Sequence, residues 1–248
     1  MRSLLKLTWL ETKIFIREPM GVLGTVGVPV LIFAVLARMV GRRTDDATRE
    51  VPSFIAGDLP ILGAMFIIAT TVLSLITIIA IYREGGILKR LRATPLRPAT
   101  ILTAHVLVKL LFTAITVVLM MLVGRNYNVG VDRVPALSFS LALLFSTTSI
   151  VSLGFLIASI VPTARFAQPI GTVVIYPLIG MSGIFFPVEV LPTTLQAIAR
   201  AMPFMYAASL MRGVWHGEGW SAHTAEVVAL AVIFVVFTAL SARLFRWE

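Results

Sequence analysis

The chain contains no cysteine. That excludes a disulfide framework, thiolate chemistry and any cysteine-ligated metal. It is also poor in charge. Only 13% of its 248 residues are Asp, Glu, Lys or Arg, about half the ~25% usual for a soluble domain. It lacks H-E-x-x-H, G-x-S-x-G and G-x-x-x-x-G-K-[ST], so the common zinc-protease, serine-hydrolase and phosphate-loop chemistries have no carrier here. Three histidines are present, His105, His216 and His223. The last two flank Gly217-Glu218-Gly219, where a solvated loop is the plainer reading than a metal site.

What the chain has is apolar residues, 58% of the total, with a mean hydropathy of +0.96. Lipid must solvate most of such a molecule. Six runs, roughly 20–40, 59–81, 100–123, 136–161, 169–186 and 224–244, are long enough to cross a ~30 Å hydrocarbon core as helices of ~20 residues. They are continuously apolar rather than alternating, which excludes a barrel and leaves helices. The expected fold is an all-α polytopic membrane protein of six transmembrane helices, one domain over 1–248. The fifth run is short and holds Pro177, Gly180 and Gly183, so a bend or break is expected there. About 19 residues with both acids and bases precede the first run and no A-x-A follows it, which points to a retained span.

Lys and Arg set the orientation. One side collects Arg2, Lys6, Lys13, Arg17, Arg83, Lys89, Arg90, Arg92, Arg97, Arg165, Arg243 and Arg246 against the acids Glu11, Glu18, Glu84 and Glu248. On the other side bases and acids balance. Both termini are therefore expected in the cytoplasm. The net charge of +9 reports topology, and nucleic acid is not an expected partner.

Segment 1–18 reads as an interfacial helix. At ~100° per residue its four bases cluster on one side and Glu11 and Glu18 on the opposite side. It suits anionic headgroups with Trp9 in the interface, and contact with a cytosolic partner is compatible with that.

Ion-coupled transport needs ionisable groups near the bilayer midplane, and the runs hold none there. Lys109 is the one charge well inside a run rather than near its end, one turn from His105 on the same face. It reads either as a snorkelling lysine or, with His105, as part of a cytoplasmic vestibule. Hydroxyl residues include Thr70, Thr71, Ser74 and Thr77 in the second run, Ser146 to Ser149 and Ser152 in the fourth, and Thr172 with Tyr176 in the fifth. Such residues serve as helix-packing glue or line a path; Thr70, Ser74, Thr77, His105, Lys109, Thr172 and Tyr176 are the path candidates. A membrane-embedded enzyme would need an intramembrane cluster of Asp, Glu or His, and none is visible.

Two segments remain. Residues 82–98, YREGGILKRLRATPLRP, place Ile87, Leu88 and Leu91 on one face of a short helix, with Lys89, Arg90 and Arg92 around the rest. Gly85-Gly86 permits a sharp break and Pro95 ends the helix at Thr94. A push on this segment would move both spans to which it is tied. The stretch 187–215 is too polar and too proline-punctuated to span. Helices after Pro192 and after Pro203 suggest a re-entrant or interfacial hairpin between spans five and six, tolerated at depth only against protein or a cavity.

Together these segments resemble the permeases of the type-2 ABC exporter family over essentially the whole chain. Arg17-Glu18-Pro19 is similar to the family's R-[DEN]-P. Glu84-Gly85, Leu88, Arg90-Leu91 and Thr94-Pro95 resemble its E-x-G-x-L…TP loop. Gly183, Phe186-Pro187, Leu191-Pro192, Pro203 and Leu210-Arg212-Gly213 (with Met211 between the first two of the last three) resemble its run between spans five and six. The resemblance implies a half-transporter in the bacterial inner membrane. A second permease copy would complete the pathway, and two separate ATPase subunits would use ATP and magnesium, this chain binding no cofactor. It implies a coupling helix in which Arg83, Glu84, Gly85, Gly86, Leu88, Lys89, Arg90, Leu91, Arg92, Thr94 and Pro95 meet the ATPase. It also implies an outer cap carried by Phe186, Pro187, Leu191, Pro192, Pro203 and Arg212. The expected cargo is an amphipathic drug-like or lipid-like molecule. A polysaccharide is the alternative, disfavoured because few aromatics, such as Phe33, Phe66 and Tyr176, are placed to stack on sugars.

Overall fold

A computed structural model describes residues 2–45, 53–86, 98–127, 136–161, 163–185 and 188–244. Among these residues there is helix and no strand. Ten α-helices follow in order: α1 Arg2–Arg17, α2 Pro19–Val22, α3 Val28–Asp45, α4 Ser53–Glu84, α5 Pro98–Asn126, α6 Ala136–Ile160, α7 Ala164–Gly180, α8 Thr193–Ala201, α9 Pro203–Trp215 and α10 Thr224–Leu244. A π-helical turn, Leu23–Gly27, joins α2 to α3. Pro29, which has no N–H to give the residue 25 carbonyl, lies two residues beyond that widened turn.

Among the described residues, five stretches are long and apolar enough to cross a membrane: Pro19–Met39, Asp58–Glu84, Thr100–Asn126, Ala136–Ile160 and Trp220–Leu244. The chain is a multi-pass helical membrane protein. The fifth expected run is displaced. Its helix, α7, starts at Ala164 and ends at Gly180, and Gly183 takes a left-handed φ of 83°, which favours glycine. Pro169 and Pro177 lie inside α7. At ~1.5 Å per residue its length is about 25 Å.

Inter-helix hydrogen bonds fix the directions. Ser149 Oγ donates to the Leu230 carbonyl at 2.6 Å, and the Ser159 and Ser241 hydroxyls meet at 3.2 Å. Higher residues meet higher residues, so α6 and α10 run parallel. The intervening α7 carries the chain back: its start meets the end of α4 and its Gly171 lies against Leu73 and Ile76. Two ends of the bundle follow. The near end holds α1 and the last turns of α4, α6 and α10; the far end holds Asp58, α8, α9 and the start of α10.

In lipid the hydrophobic effect does not pull helices together, and close packing does more of the work. Gly154 provides it between α6 and α4, where a Cβ would lie 2.9 Å from Val72 Cγ1. Gly171 does the same for α7, 2.8 Å from Leu73 Cδ2. Accordingly α4 and α6 form the centre, with 61% and 67% of their spanning residues buried, whereas α10 is peripheral at 11%. α9, broken from α8 at Pro203, buries Phe204, Ala207, Leu210, Met211 and Val214.

Candidate functional site

At the near end a polar group is enclosed beneath α1. The acidic side of α1 faces inward: Glu11, Thr12 and Phe15 are buried, while Lys13, Arg17, Trp9 and Ile14 are exposed. Lys109 is only 3% exposed. Its Nζ donates to Ser74 Oγ at 2.6 Å and lies 4.1 Å from the centre of the Phe15 ring, a desolvated cation–π contact. Phe15 packs in turn on Phe112 with centroids 4.5 Å apart. One turn away, His105 Nδ1 lies 3.6 Å from Glu11 Oε2, and Tyr82 meets the His105 ring edge-on at 5.0 Å. Burial raises the Glu11 carboxyl above its ordinary range, an effect that the neighbouring Tyr82 hydroxyl partly offsets. His105 Nε2 is buried with no hydrogen-bond partner among the described residues. Lys109 thus ends on Ser74 of α4, where it ties α1, α4 and α5 together, and is not drawn out to the surface.

The end of α4 makes a second junction. Arg83 Nη1 donates to the Ala158 and Ser159 carbonyls at 3.2 and 3.4 Å, at the last turn of α6. Glu84 Oε2 accepts the Ala164 N–H at 2.7 Å, at the first turn of α7. A cation at a helix C-terminus and an anion at an N-terminus both oppose the helix dipole. Thr163, the N-cap of α7, makes no side-chain cap bond, so Glu84 supplies the cap from 80 residues away. Gly85 continues the ladder to the Ile81 carbonyl, and Gly86 leaves it with a left-handed φ of 65°. Leu88, Lys89, Arg90, Leu91, Arg92, Thr94 and Pro95, expected on a coupling helix, lie outside the described residues.

At the far end Arg212 Nε and Nη2 grip Asp58, with Nη2 to Oδ2 at 2.8 Å, and Nη2 also donates to the Gly183 carbonyl at 3.1 Å. This joins α9 to α4 and to the turn after α7. Beside it His223 Nε2 meets Glu218 at 2.7 Å and its Nδ1 lies 3.5 Å from Glu226, which accepts from Ser209. Gly213 makes room: a Cβ there would overlap the His223 ring. Of the other expected cap residues, Leu191 is half-buried, Pro192 precedes α8 and Pro203 opens α9. Phe186 and Pro187 lie outside the described residues.

The path candidates divide. Ser74, His105 and Lys109 come together under α1. Thr70 and Thr77 are half-buried on α4 and bond to carbonyls of their own helix. Thr172 is half-buried on α7, where Tyr176 is 45% exposed. Reading the sequence missed Glu11, Tyr82 and Asp58 as anchors. The one signal for Glu11 is its place opposite the basic side of α1.

The shape of this chain, a helical bundle with a helix tucked beneath it and a broken pair of short helices at its far end, has known counterparts in sequence. The family model for the ABC-2 type transporter matches residues 2–215. The chain belongs to the ABC-2 type transporter membrane family. It is a transport subunit, and ATP hydrolysis lies with a separate ABC ATPase subunit with which this family partners. The family also associates with a second membrane subunit. Among curated relatives, the daunorubicin resistance ABC transporter permease protein DrrB1 of Streptomyces coeruleorubidus is 27% identical over 96% of this chain and 84% of its own length. Nodulation protein J of Rhizobium leguminosarum bv. trifolii is 32% identical over 38% of this chain and 36% of its own. No solved structure matches significantly.

Proposed function

We propose that this permease is half of the membrane pathway of an ATP-driven exporter that moves an amphipathic, drug-like molecule out of the cytoplasm. The observation that carries this reading is the similarity along 96% of the chain to a permease named for daunorubicin resistance. Two copies with two ATPase subunits would form the transporter. α7 would serve as a shortened sixth span beside the five longer ones, and both termini would lie in the cytoplasm of a bacterial inner membrane. The α8–α9 pair would close the pathway from outside. ATP and magnesium would be used by the partner alone.

The near end supports a mechanical role for the coupling segment. Its root, Arg83-Glu84, is bonded to the last turn of α6 and the first turn of α7. A displacement of the 87–97 loop by the ATPase would therefore move α4, α6 and α7 as a unit. Arg83 and Glu84 spend their charges within the chain, which leaves Lys89, Arg90 and Arg92 as the charges offered to the ATPase. The exposed face of α7, with Val173 and Tyr176, is the surface that the second copy or the cargo would meet. It offers two exposed aromatics, Phe166 and Tyr176, rather than a longer series of stacking platforms, which favours a drug-like cargo over a polysaccharide.

The test is co-purification with the ATPase encoded beside this chain, then ATP-driven uptake of a fluorescent amphiphile into inside-out proteoliposomes. Uptake that needs both subunits supports the reading; failure of the two to assemble overturns it.

A further inference from the structure

A cavity of about 420 Å³ lies between α5, α6 and α10, toward the near end. It belongs neither to the buried group under α1 nor to the exposed face of α7. Its size falls within the ~300–1,000 Å³ typical of small-molecule sites. One wall is α10, the least buried of the spanning helices, and the cavity is open on one side rather than enclosed.

Its lining has a definite chemistry. Apolar side chains, Phe155 and Phe234 among them, make up most of it, and among the described residues no charged one lines it. Five hydroxyl residues contribute the rest: Thr103, Thr148, Ser152, Thr238 and Ser241. Thr148 Oγ1 donates its proton to the Leu144 carbonyl at 2.8 Å, and Ser152 Oγ donates to the Ser149 carbonyl at 2.6 Å. A hydroxyl has one proton and two lone pairs. With the proton committed to their own helix, these two oxygens can offer a ligand only acceptors.

We infer that the cavity between α5, α6 and α10 is a binding site for an uncharged, largely apolar molecule carrying a hydrogen-bond donor, taken up from the surrounding bilayer. A cation would find no counter-charge among the described lining residues, and an apolar setting makes the cost of that large. A lipid acyl chain would fill the volume but satisfy none of the hydroxyl acceptors. A donor-bearing amphiphile does both. The inference concerns binding by the permease itself and stands independently of ATP-driven export.

The absence of cysteine makes the test direct. Thr238→Cys places a single thiol in the cavity wall, with Ala242→Cys as the substitute should the first fail to fold as a monodisperse species. The full chain, in nanodiscs of phosphatidylethanolamine and phosphatidylglycerol, is labelled with a maleimide in the presence of 1-hydroxypyrene or 1-methoxypyrene. These probes share an aromatic body and differ in the donor. The expected result is that 1-hydroxypyrene slows labelling about fivefold or more, and that 1-methoxypyrene needs several-fold higher concentration for the same effect. Thr148→Val with Ser152→Ala should erase that preference. Equal protection by both probes would overturn the proposal and show a slot filled by any lipid chain. So would no protection by either, or protection that depends on protein concentration rather than probe, which would mark a contact between copies.

Discussion

Replacing Glu84 tests the junction between the coupling segment and the bundle. Its carboxylate accepts the Ala164 N–H at 2.7 Å and is the cap of α7, since Thr163 makes no side-chain cap bond. Losing a side-chain cap costs about 0.5–2 kcal/mol, and the charge–dipole part alone about 0.3–1 kcal/mol. Glu84 is exposed, so solvent screening puts both toward their lower ends. Glu84→Ala, which removes acceptor and charge, is expected to destabilise by about 1 kcal/mol. Glu84→Gln keeps an acceptor and should lose about half of that. Coupling should suffer more than stability, because the same bond links the loop root to α7. The assay is thermal unfolding of the purified chain in detergent beside transport-linked ATP hydrolysis by the assembled complex. Equal stability of wild type and Glu84→Ala would refute the cap. Full coupling in Glu84→Ala would refute its mechanical role.

Three further predictions follow from buried contacts. Burial raises the Glu11 carboxyl, so the folded state favours the protonated form. Its contribution is fully present below the unfolded value near 4.3 and is lost as pH rises through the raised folded value. Glu11→Gln should therefore raise the melting temperature at pH 7.5, and melting curves taken down to pH 4 should show the gain vanish. Asp58→Asn removes the anion facing Arg212 and should cost about 1–2 kcal/mol, with a double-mutant cycle against Arg212→Gln showing coupling between the two sites. Gly213→Ala forces the His223 ring out of its contact with Glu218; a loss of about 1–3 kcal/mol is expected in chemical-denaturation midpoints, and Gly213→Ser should be no better.

The membrane class and helical architecture are legible in the sequence because lipid leaves the backbone few options, and long apolar runs state the answer directly. The breaks at Pro192 and Pro203 are equally local, since each ring fixes its own backbone angle. α7 is harder. Arg165 and Gln168 lower the hydropathy of its first turns, so the apolar run begins after the helix does, and Pro177 reads as a break although the helix continues through it. The anchors are long-range. Glu84 caps a helix that begins at residue 164, and Arg212 finds Asp58 from 154 residues away. A side chain's spacing within its own helix says which face it occupies but not which helix it meets. Glu84 and Arg83 read as docking charges in the sequence, and only the fold brings the ends of α6 and α7 beside them.

The most direct test of the account is ATP dependence of transport by the reconstituted pair. Inside-out proteoliposomes holding the permease and its ATPase are loaded with ATP and magnesium on the exposed face, with a protonophore present, and accumulation of a fluorescent amphiphile is followed. The account predicts accumulation that persists without a proton gradient and stops when the ATPase is omitted or its catalytic carboxylate is removed. Accumulation by the permease alone, or its collapse by the protonophore while ATP remains, would contradict it.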